Sequence, residues 1–179
     1  METPLTLETP RLRLVAMTHA ALQAWLDGDA ARLRVETGAT FAEPVDAPPL
    51  FDEDLPRFRD RMAETPQELG WWVWLVCLRE GMRAVGVCGL GGWPGPGGVA
   101  VLGYAVYPRE EGRGYATEAS RALVAWVLRQ DGVRVVRATV PAWNKASEAV
   151  ARKVGMRPVG FEVDPGVGEV AVYEIRRLT

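Results

Sequence analysis

The ten residues from 110 to 119, "EEGRGYATEA", put two glycines two positions apart directly before a run of helix formers. Gly112 and Gly114 can turn backbone N–H groups toward an anion, and a helix opening behind them adds the positive end of its dipole. The spacing therefore suits a seat for phosphate. Glu110 and Glu111 count against it, because two carboxylates at the mouth of such a seat repel an anion, and a polar turn between strand and helix could be spelled with the same letters. Further on, "NKASEAVARKVGM" sets Asn144 where a helix cap belongs and Ser147 three residues later, at a helix N3 position that could serve as a polar filler or as a hydroxyl with a chemical duty. His19, the single histidine, follows Thr18 at the start of a helical pattern. It reads as a residue near a helix N-terminus, and one histidine disfavours most zinc and triad arrangements. Cys77 and Cys88 have neither metal-ligand spacing nor a C-x-x-C pair and read as buried thiols.

The elements that must position these residues follow from periodicity. "TPRLRLVAM" (9–17) alternates as a first strand. From Thr18 to about Val35 one or two short helices are interrupted near Asp27-Gly28-Asp29, and a further helix spans Asp52 to Glu64 with Asp52 as cap and Pro56 in its first turn. "WWVWLVCLREGMRAVGVCGLGGW" (71–93) contains two strands around a turn at "REGMR". In it Trp72, Trp74 and Val76 fall on one face and Trp71, Val73, Leu75 and Cys77 on the other, which makes a central strand covered on both sides, its tryptophans in the core. "VAVLGYAVYP" is a third antiparallel strand ending at Pro108. The pattern then changes to a helix over Tyr115–Asp131, striped by Ala119, Leu123, Trp126 and Val127 and stopped at Gly132. There follow a strand at 133–140, a helix at 144–154 ended by Gly155, and two last strands, "RPVGF" and "EVAVYEIRRL". The order β-α-α-β-β-β-α-β-α-β-β predicts an α+β (mixed α/β) fold of three layers, and with no internal repeat or long linker a single domain over 1–179 is expected.

Composition narrows the function. With 48% hydrophobic and 25% charged residues the chain is globular. The N-terminus lacks the basic start and apolar run of a signal peptide, and no segment carries a membrane-length apolar stretch, so a cytoplasmic location is expected. Net charge is −2, split unevenly: residues 1–108 carry 14 acidic and 9 basic side chains, whereas residues 109–179 carry 9 and 12. The stretch 35–56 holds six carboxylates and no Lys or Arg, which fits either a solvated loop or a surface that attracts a cationic partner. No basic face of the kind nucleic acid requires is present.

Taken in order, "TPRLRL", "GYAVYP" leading into "EEGRGYATEA", and "NKASEAVARKVGM" resemble the GNAT superfamily of acyl-CoA-dependent N-acetyltransferases, in particular its RimJ/RimL-type branch, over essentially the whole chain. The resemblance implies a largely antiparallel central sheet flanked by helices, acetyl-CoA as cosubstrate, an amine acceptor such as a peptide N-terminus or a small amine, and a possible homodimer. The family's pyrophosphate motif Q/R-x-x-G-x-G/A falls on Glu111-Gly112-Arg113-Gly114-Tyr115-Ala116, with Thr117 following in the first helical turn. A frame starting at Arg109 also fits as letters but would start the helix late. Glu111 departs from the family's Arg or Gln, which matters less if backbone N–H donors and the helix dipole hold the diphosphate.

The resemblance also implies that the pantetheine arm lies along Ala105-Val106-Tyr107, with a backbone N–H there, that of Val106, for the oxyanion. The family's tyrosine proton donor would stand at Ala151 and is missing. RimL-type relatives use a serine at the position of Ser147, and Asn144 becomes a cap and a CoA contact. No acidic residue occupies 84–106, which leaves Glu36, Glu43, Asp46 or an ordered water as base. Two functions from different classes stand open: direct acetyl transfer to a primary amine, and a non-catalytic acyl-CoA-binding sensor or assembly module. A Rossmann-type dinucleotide site is disfavoured because three antiparallel strands precede the glycines.

Overall fold

A computed structural model describes residues 4–49 and 51–178; Leu50, inside the acidic stretch, and the extreme ends of the expected domain lie outside the described residues. The elements run β1 (Thr6–Glu8), β2 (Leu12–Ala16), α1 (His19–Leu26), α2 (Ala30–Thr37), α3 (Leu55–Glu64), β3 (Val73–Leu78), β4 (Ala84–Leu90), β5 (Val99–Val106), α4 (Tyr115–Val127), β6 (Val135–Pro141), α5 (Lys145–Val154), β7 (Arg157–Asp164) and β8 (Gly168–Arg176). The strands form one eight-stranded sheet in the order β1-β2-β3-β4-β5-β6-β8-β7. Every neighbouring pair is antiparallel except β5 and β6. This is an α+β fold of three layers. One apolar cluster joins α4 and α5 to one face of the sheet through Leu123, Val127, Ala151 and Val154, and the other joins α1, α2 and α3 to the opposite face through Leu22, Trp25, Leu33 and Phe58. No helix among the described residues is long and apolar enough to cross a membrane.

Three expectations need correction. The strand expected over 9–17 is present only as β2, Leu12–Ala16, and its first residues are a turn: Thr9 accepts from the Leu12 amide through its Oγ1 and donates its own amide to the Leu12 carbonyl, and this tight turn around Pro10 folds back onto β2 the preceding strand β1, which was not expected. Asp52 does not cap α3, which begins at Leu55 after Asp54 with no side-chain cap; Pro56 does sit in its first turn, where its missing N–H costs nothing. Trp71 packs with Trp74 and Val76 in the α4/α5 cluster rather than with Val73, because the regular alternation starts only at Val73, where β3 begins. The helix break at Asp27-Gly28-Asp29 stands where expected, with Thr18 and Asp29 capping α1 and α2. His19 opens α1, and both cysteines are buried free thiols.

One irregularity of the sheet positions everything that follows. β5 pairs with β6 only at Val99, Ala100 and Val101, opposite Val135, Val136 and Arg137. Past that point β5 stays paired with β4 as far as Val106, and β6 stays paired with β8 as far as Pro141, so the two strands diverge as a wedge. α4 is anchored beside this wedge by Leu123, which is fully buried. Leu123→Ala should therefore cost about 2–5 kcal/mol of unfolding free energy, read from the denaturant midpoint. A loss below about 1 kcal/mol would mean that α4 is not packed as described.

Candidate active site

The wedge opens into a cleft of about 390 Å³ between β5, α4 and α5. Tyr104, Ala105 and Val106 line one wall, Gly112, Gly114, Tyr115, Ala116 and Thr117 the mouth, and Asn144, Ser147 and Lys153 the far wall. On the β4 side the Val101 carbonyl accepts from the Gly91 amide and the Tyr107 amide donates to the Val85 carbonyl. By the two-residue alternation of an antiparallel ladder, Leu102, Tyr104 and Val106 turn their backbone groups the other way, into the wedge. The side chains of β5 divide likewise: Leu102 and Tyr104 pack on the α4/α5 face, Ala105 and Tyr107 on the opposite face.

At the mouth the chain leaves β5 through a single 3-10 turn, Pro108–Glu110, and enters α4 through two residues with left-handed backbone, Gly112 (φ 73°) and Gly114 (φ 80°). Positive φ at both positions is why glycine is there. α1, α2 and α5 each have a side-chain cap, from Thr18, Asp29 and Asn144, but α4 starts at Gly114 without one. The first-turn amides of Tyr115, Ala116 and Thr117 thus have no partner within the helix, and they open onto the cleft.

The two glutamates that spoke against an anion seat have different fates. Glu111 is exposed at the rim. Glu110 is buried, only 3% exposed, and surrounded by arginines: Arg83 donates to its Oε1, Arg109 Nε lies 3.5 Å from Oε1, and Arg113 Nε lies 3.9 Å from Oε2. Its charge is spent inside the loop. Arg113, a residue of the expected pyrophosphate motif, turns toward Glu110 and is absent from the cleft wall.

The N-terminal hairpin braces this loop from outside. Arg11 donates from its backbone amide to Glu118 Oε1 (3.0 Å), from Nε to Glu118 Oε2 (2.7 Å) and from Nη1 to the Arg113 carbonyl (3.0 Å), and its guanidinium lies 4.8 Å from the centre of the Tyr115 ring. Thr9 Oγ1 donates to the same carboxylate at 2.6 Å. Burial alone would raise the pKa of Glu118, but the hydrogen bonds from Thr9 and Arg11 outweigh it and hold the carboxyl below the usual range. Because the folded pKa is depressed, this stabilisation is complete above the ordinary carboxylate pKa and fades only as pH falls through the lower, folded value. The hairpin residues "TPR" and the helix residue Glu118 were read separately in the sequence; nothing local to either stretch signals that they meet.

Across the cleft, Asn144 caps α5 by accepting from the Ser147 amide at 3.0 Å. Ser147 Oγ donates to the Tyr104 hydroxyl at 3.1 Å, and that hydroxyl donates to the Ser147 carbonyl at 2.8 Å. Tyr104 is the residue that sequence reasoning passed over, although "GYAVYP" contained it. Its alternation with Val106 on one strand was the available signal. Tyr107, expected in the cleft, lies on the other face of β5. There it lines a smaller pocket of about 130 Å³ with Phe41, Glu43, Asp46 and Arg109, and its hydroxyl donates to the Asp46 carbonyl at 2.7 Å. Of the three side chains considered as bases, Glu43 and Asp46 border that pocket, and Glu36 borders neither.

Residues 11–157 match the profile of the acetyltransferase (GNAT) domain. The chain belongs to the GNAT acetyltransferase family. It is an N-acetyltransferase with acetyl-CoA as its cosubstrate. Solved structures with the same fold include an acetyltransferase from Agrobacterium tumefaciens (24% identity, covering 98% of this chain and 96% of that one, TM-score 0.64) and RimL, a ribosomal-protein α-N-acetyltransferase in complex with coenzyme A (17%, 96% and 98%, 0.66). A ribosomal-protein-alanine acetyltransferase from Vibrio fischeri is similar too (10%, 97% and 97%, 0.68). At these identities the likeness is one of fold. No curated protein matches the sequence significantly.

In this GNAT chain, Arg11→Ala removes the brace without touching the cleft wall. Hydrogen bonds to charged groups contribute about 1.5–3 kcal/mol; discounted for the half-exposed position of Arg11, the variant should bind acetyl-CoA about three- to tenfold more weakly by calorimetry. Unchanged affinity would mean that the hairpin does not hold the loop.

Proposed function

We propose that the chain, as a single acetyltransferase domain, moves the acetyl group of acetyl-CoA to a primary amine by direct attack, with a protein N-terminal α-amine or a small amine as acceptor. The observation that carries this reading is the wedge itself: an unpaired strand edge, a doubly left-handed glycine turn and an uncapped helix start all open onto one cleft. The fit to the cosubstrate follows from the donors. Successive amides from Gly112 to Thr117 present N–H groups to a diphosphate at the positive end of α4, and a Cβ built at Gly112 would meet nothing within 4 Å, so the loop leaves room. Asn144 adds a polar contact from the α5 side. The edge of β5 from Tyr104 to Val106 offers the pairing groups that an extended amide-bearing arm can use as a further strand.

The Val106 N–H, turned into the wedge, would accept the negative charge that grows on the thioester oxygen when the amine attacks, and Ser147 would supply a proton to the departing sulfur. The amine must arrive neutral. In the cleft the available carboxylates are Glu110, engaged by arginines, and Glu111 at the rim, so deprotonation relies on the amine's own pKa or on water. The small pocket beside Tyr107, bordered by Glu43 and Asp46, fits a cationic acceptor on the opposite face of β5.

The test combines calorimetric titration of acetyl-CoA with release of free thiol against N-terminal peptides, polyamines and amino acids. Binding with release for one acceptor class is expected. Binding with no release for any would favour a non-catalytic acyl-CoA-binding module instead. Gly114→Glu, which forces a side chain into left-handed backbone and a carboxylate beside the helix start, should abolish acetyl-CoA binding while the thermal melt remains cooperative. Retained binding would contradict the loop assignment.

A further inference from the structure

The place on α5 where a tyrosine was missed is Ala151, fully buried. A phenol nonetheless reaches α5, from the opposite wall of the cleft. Tyr104, on β5, donates its hydroxyl to the Ser147 carbonyl at 2.8 Å and accepts from the Ser147 hydroxyl at 3.1 Å. We propose that Tyr104 and Ser147 form a two-hydroxyl relay, in which the phenol is the proton source and Ser147 passes the proton to the leaving sulfur. This rests on the acetyl transfer proposed above and assigns its proton donor. A serine acting alone would be left as an alkoxide, a base far stronger than a phenolate. A phenol is by nature a far stronger acid than an aliphatic alcohol, so even with the rise that burial brings the charge is better left on Tyr104.

The step balances without a further reactant. The amine nitrogen bonds to the acetyl carbon, the C–S bond breaks, and its electron pair goes to sulfur. Both hydroxyls must turn for the step: the Tyr104 O–H swings from the Ser147 carbonyl to Ser147 Oγ, 3.1 Å away, and the Ser147 O–H swings from the phenol to sulfur, so that sulfur takes the Ser147 proton while Ser147 Oγ takes that of Tyr104. The tyrosinate then recovers, through water, the proton that the newly acylated nitrogen sheds. Tyr104 acts through Ser147 and is therefore a positioning and proton-supplying residue rather than one that touches the substrate.

The surroundings suit a phenol that stays protonated until used. Burial raises its pKa; the Ser147 hydrogen bond works in the other direction, and Tyr173 on β8 adds to the rise. Around it stand Cys88, its cross-strand partner on β4, with a thiol pushed up by burial, and on α5 Glu148 and Arg152, which engage Tyr173; Lys153, Glu110 and Glu111 line the same cleft.

The experiment compares wild type, Tyr104→Phe, Ser147→Ala and the double variant, each checked for a cooperative melt. In steady-state transfer, Tyr104→Phe should lower kcat by about 30- to 100-fold, at or below the lower end of general-acid effects, with KM for acetyl-CoA changed less than about twofold. The double variant should be no worse than the poorer single one, since the two hydroxyls act as a unit. A Tyr104→Phe enzyme within twofold of wild type, or losses that multiply in the double variant, would overturn the relay. A second readout needs no acceptor. Calorimetric titration of CoA across alkaline pH should give a bound-thiol pKa below that of free CoA for wild type, with the lowering lost in Tyr104→Phe. An equal thiol pKa in both proteins would also overturn it. If the lowering is present and no amine is acetylated, the failure belongs to the proposed transfer and not to the hydroxyl pair.

Discussion

The architecture turns on the parting of β5 and β6 after three paired residues. A sheet that stops pairing in its interior leaves backbone donors and acceptors facing each other across a gap, and such groups are costly unless something satisfies them. Each strand limits that cost by keeping its outer ladder complete, β5 with β4 and β6 with β8. Only the inner edges are left open. Tyr104 spans the opening with a hydrogen bond to the Ser147 carbonyl, so the wedge is held at one point and stays accessible beyond it. The same parting separates the faces of β5 functionally, with Tyr104 on the α4/α5 side and Tyr107 beside the acidic loop.

Electrostatics at the mouth of the wedge looks unfavourable residue by residue and favourable as a cluster. Glu110, Glu111 and Glu118 all stand within one turn or so of the helix start, yet two of them are paired. Arg83, Arg109 and Arg113 surround Glu110, and Arg11 holds Glu118. Two of those arginines, Arg11 and Arg83, come from the half of the chain with the acidic excess, so the uneven charge along the sequence is evened out in space. What remains to face an anion is the row of first-turn amides and the helix dipole, whose direction no side chain alters. Neutralising Glu110 inside the loop also fixes the 3-10 turn that delivers Gly112 and Gly114, so one buried carboxylate settles both the charge and the path of the backbone.

How much of this was legible in the sequence follows the range of the signals. Local ones were readable: the helix break at Asp27-Gly28-Asp29, the glycine turn into α4, the Asn144 cap and the order of β3, β4 and β5 all follow from short-range backbone preferences. The hairpin at Thr9–Pro10 was not, because alternation through "TPRLRLVAM" is equally good with or without a fold in it, and the bond that decides is made by the Thr9 side chain. Pairings between distant segments were invisible for the same reason. Arg11 with Glu118, Arg83 with Glu110 and Tyr104 with Ser147 join residues whose approach depends on the wedge, and periodicity carries no information on where a sheet will part. Glu110 is the sharpest case, since a glutamate in a polar turn has no sequence mark that it will be buried.

Among the described residues the carboxylates lining the cleft are Glu110, held among arginines, and Glu111 at the exposed rim, and if neither serves as base there is a quantitative consequence for the acceptor. At pH 7.4 an α-amine of pKa 7.7–8.0 is about 20–30% neutral, whereas a lysine amine of pKa 10.4 is neutral to roughly 0.1%. Attack by the neutral form alone therefore favours the α-amine by a factor of about 200–300, or roughly 3 kcal/mol. A site with a strong base could erase that difference; one that leaves the amine to lose its proton unaided inherits it. Discrimination between acceptors would then come largely from the amine's own acidity, with the carboxylates of Glu43 and Asp46 acting on encounter rather than on the chemical step. The burden that remains on the protein is at the other end of the reaction, where the leaving sulfur needs a hydrogen-bond donor, the role proposed for the two hydroxyl groups that the wedge brings together.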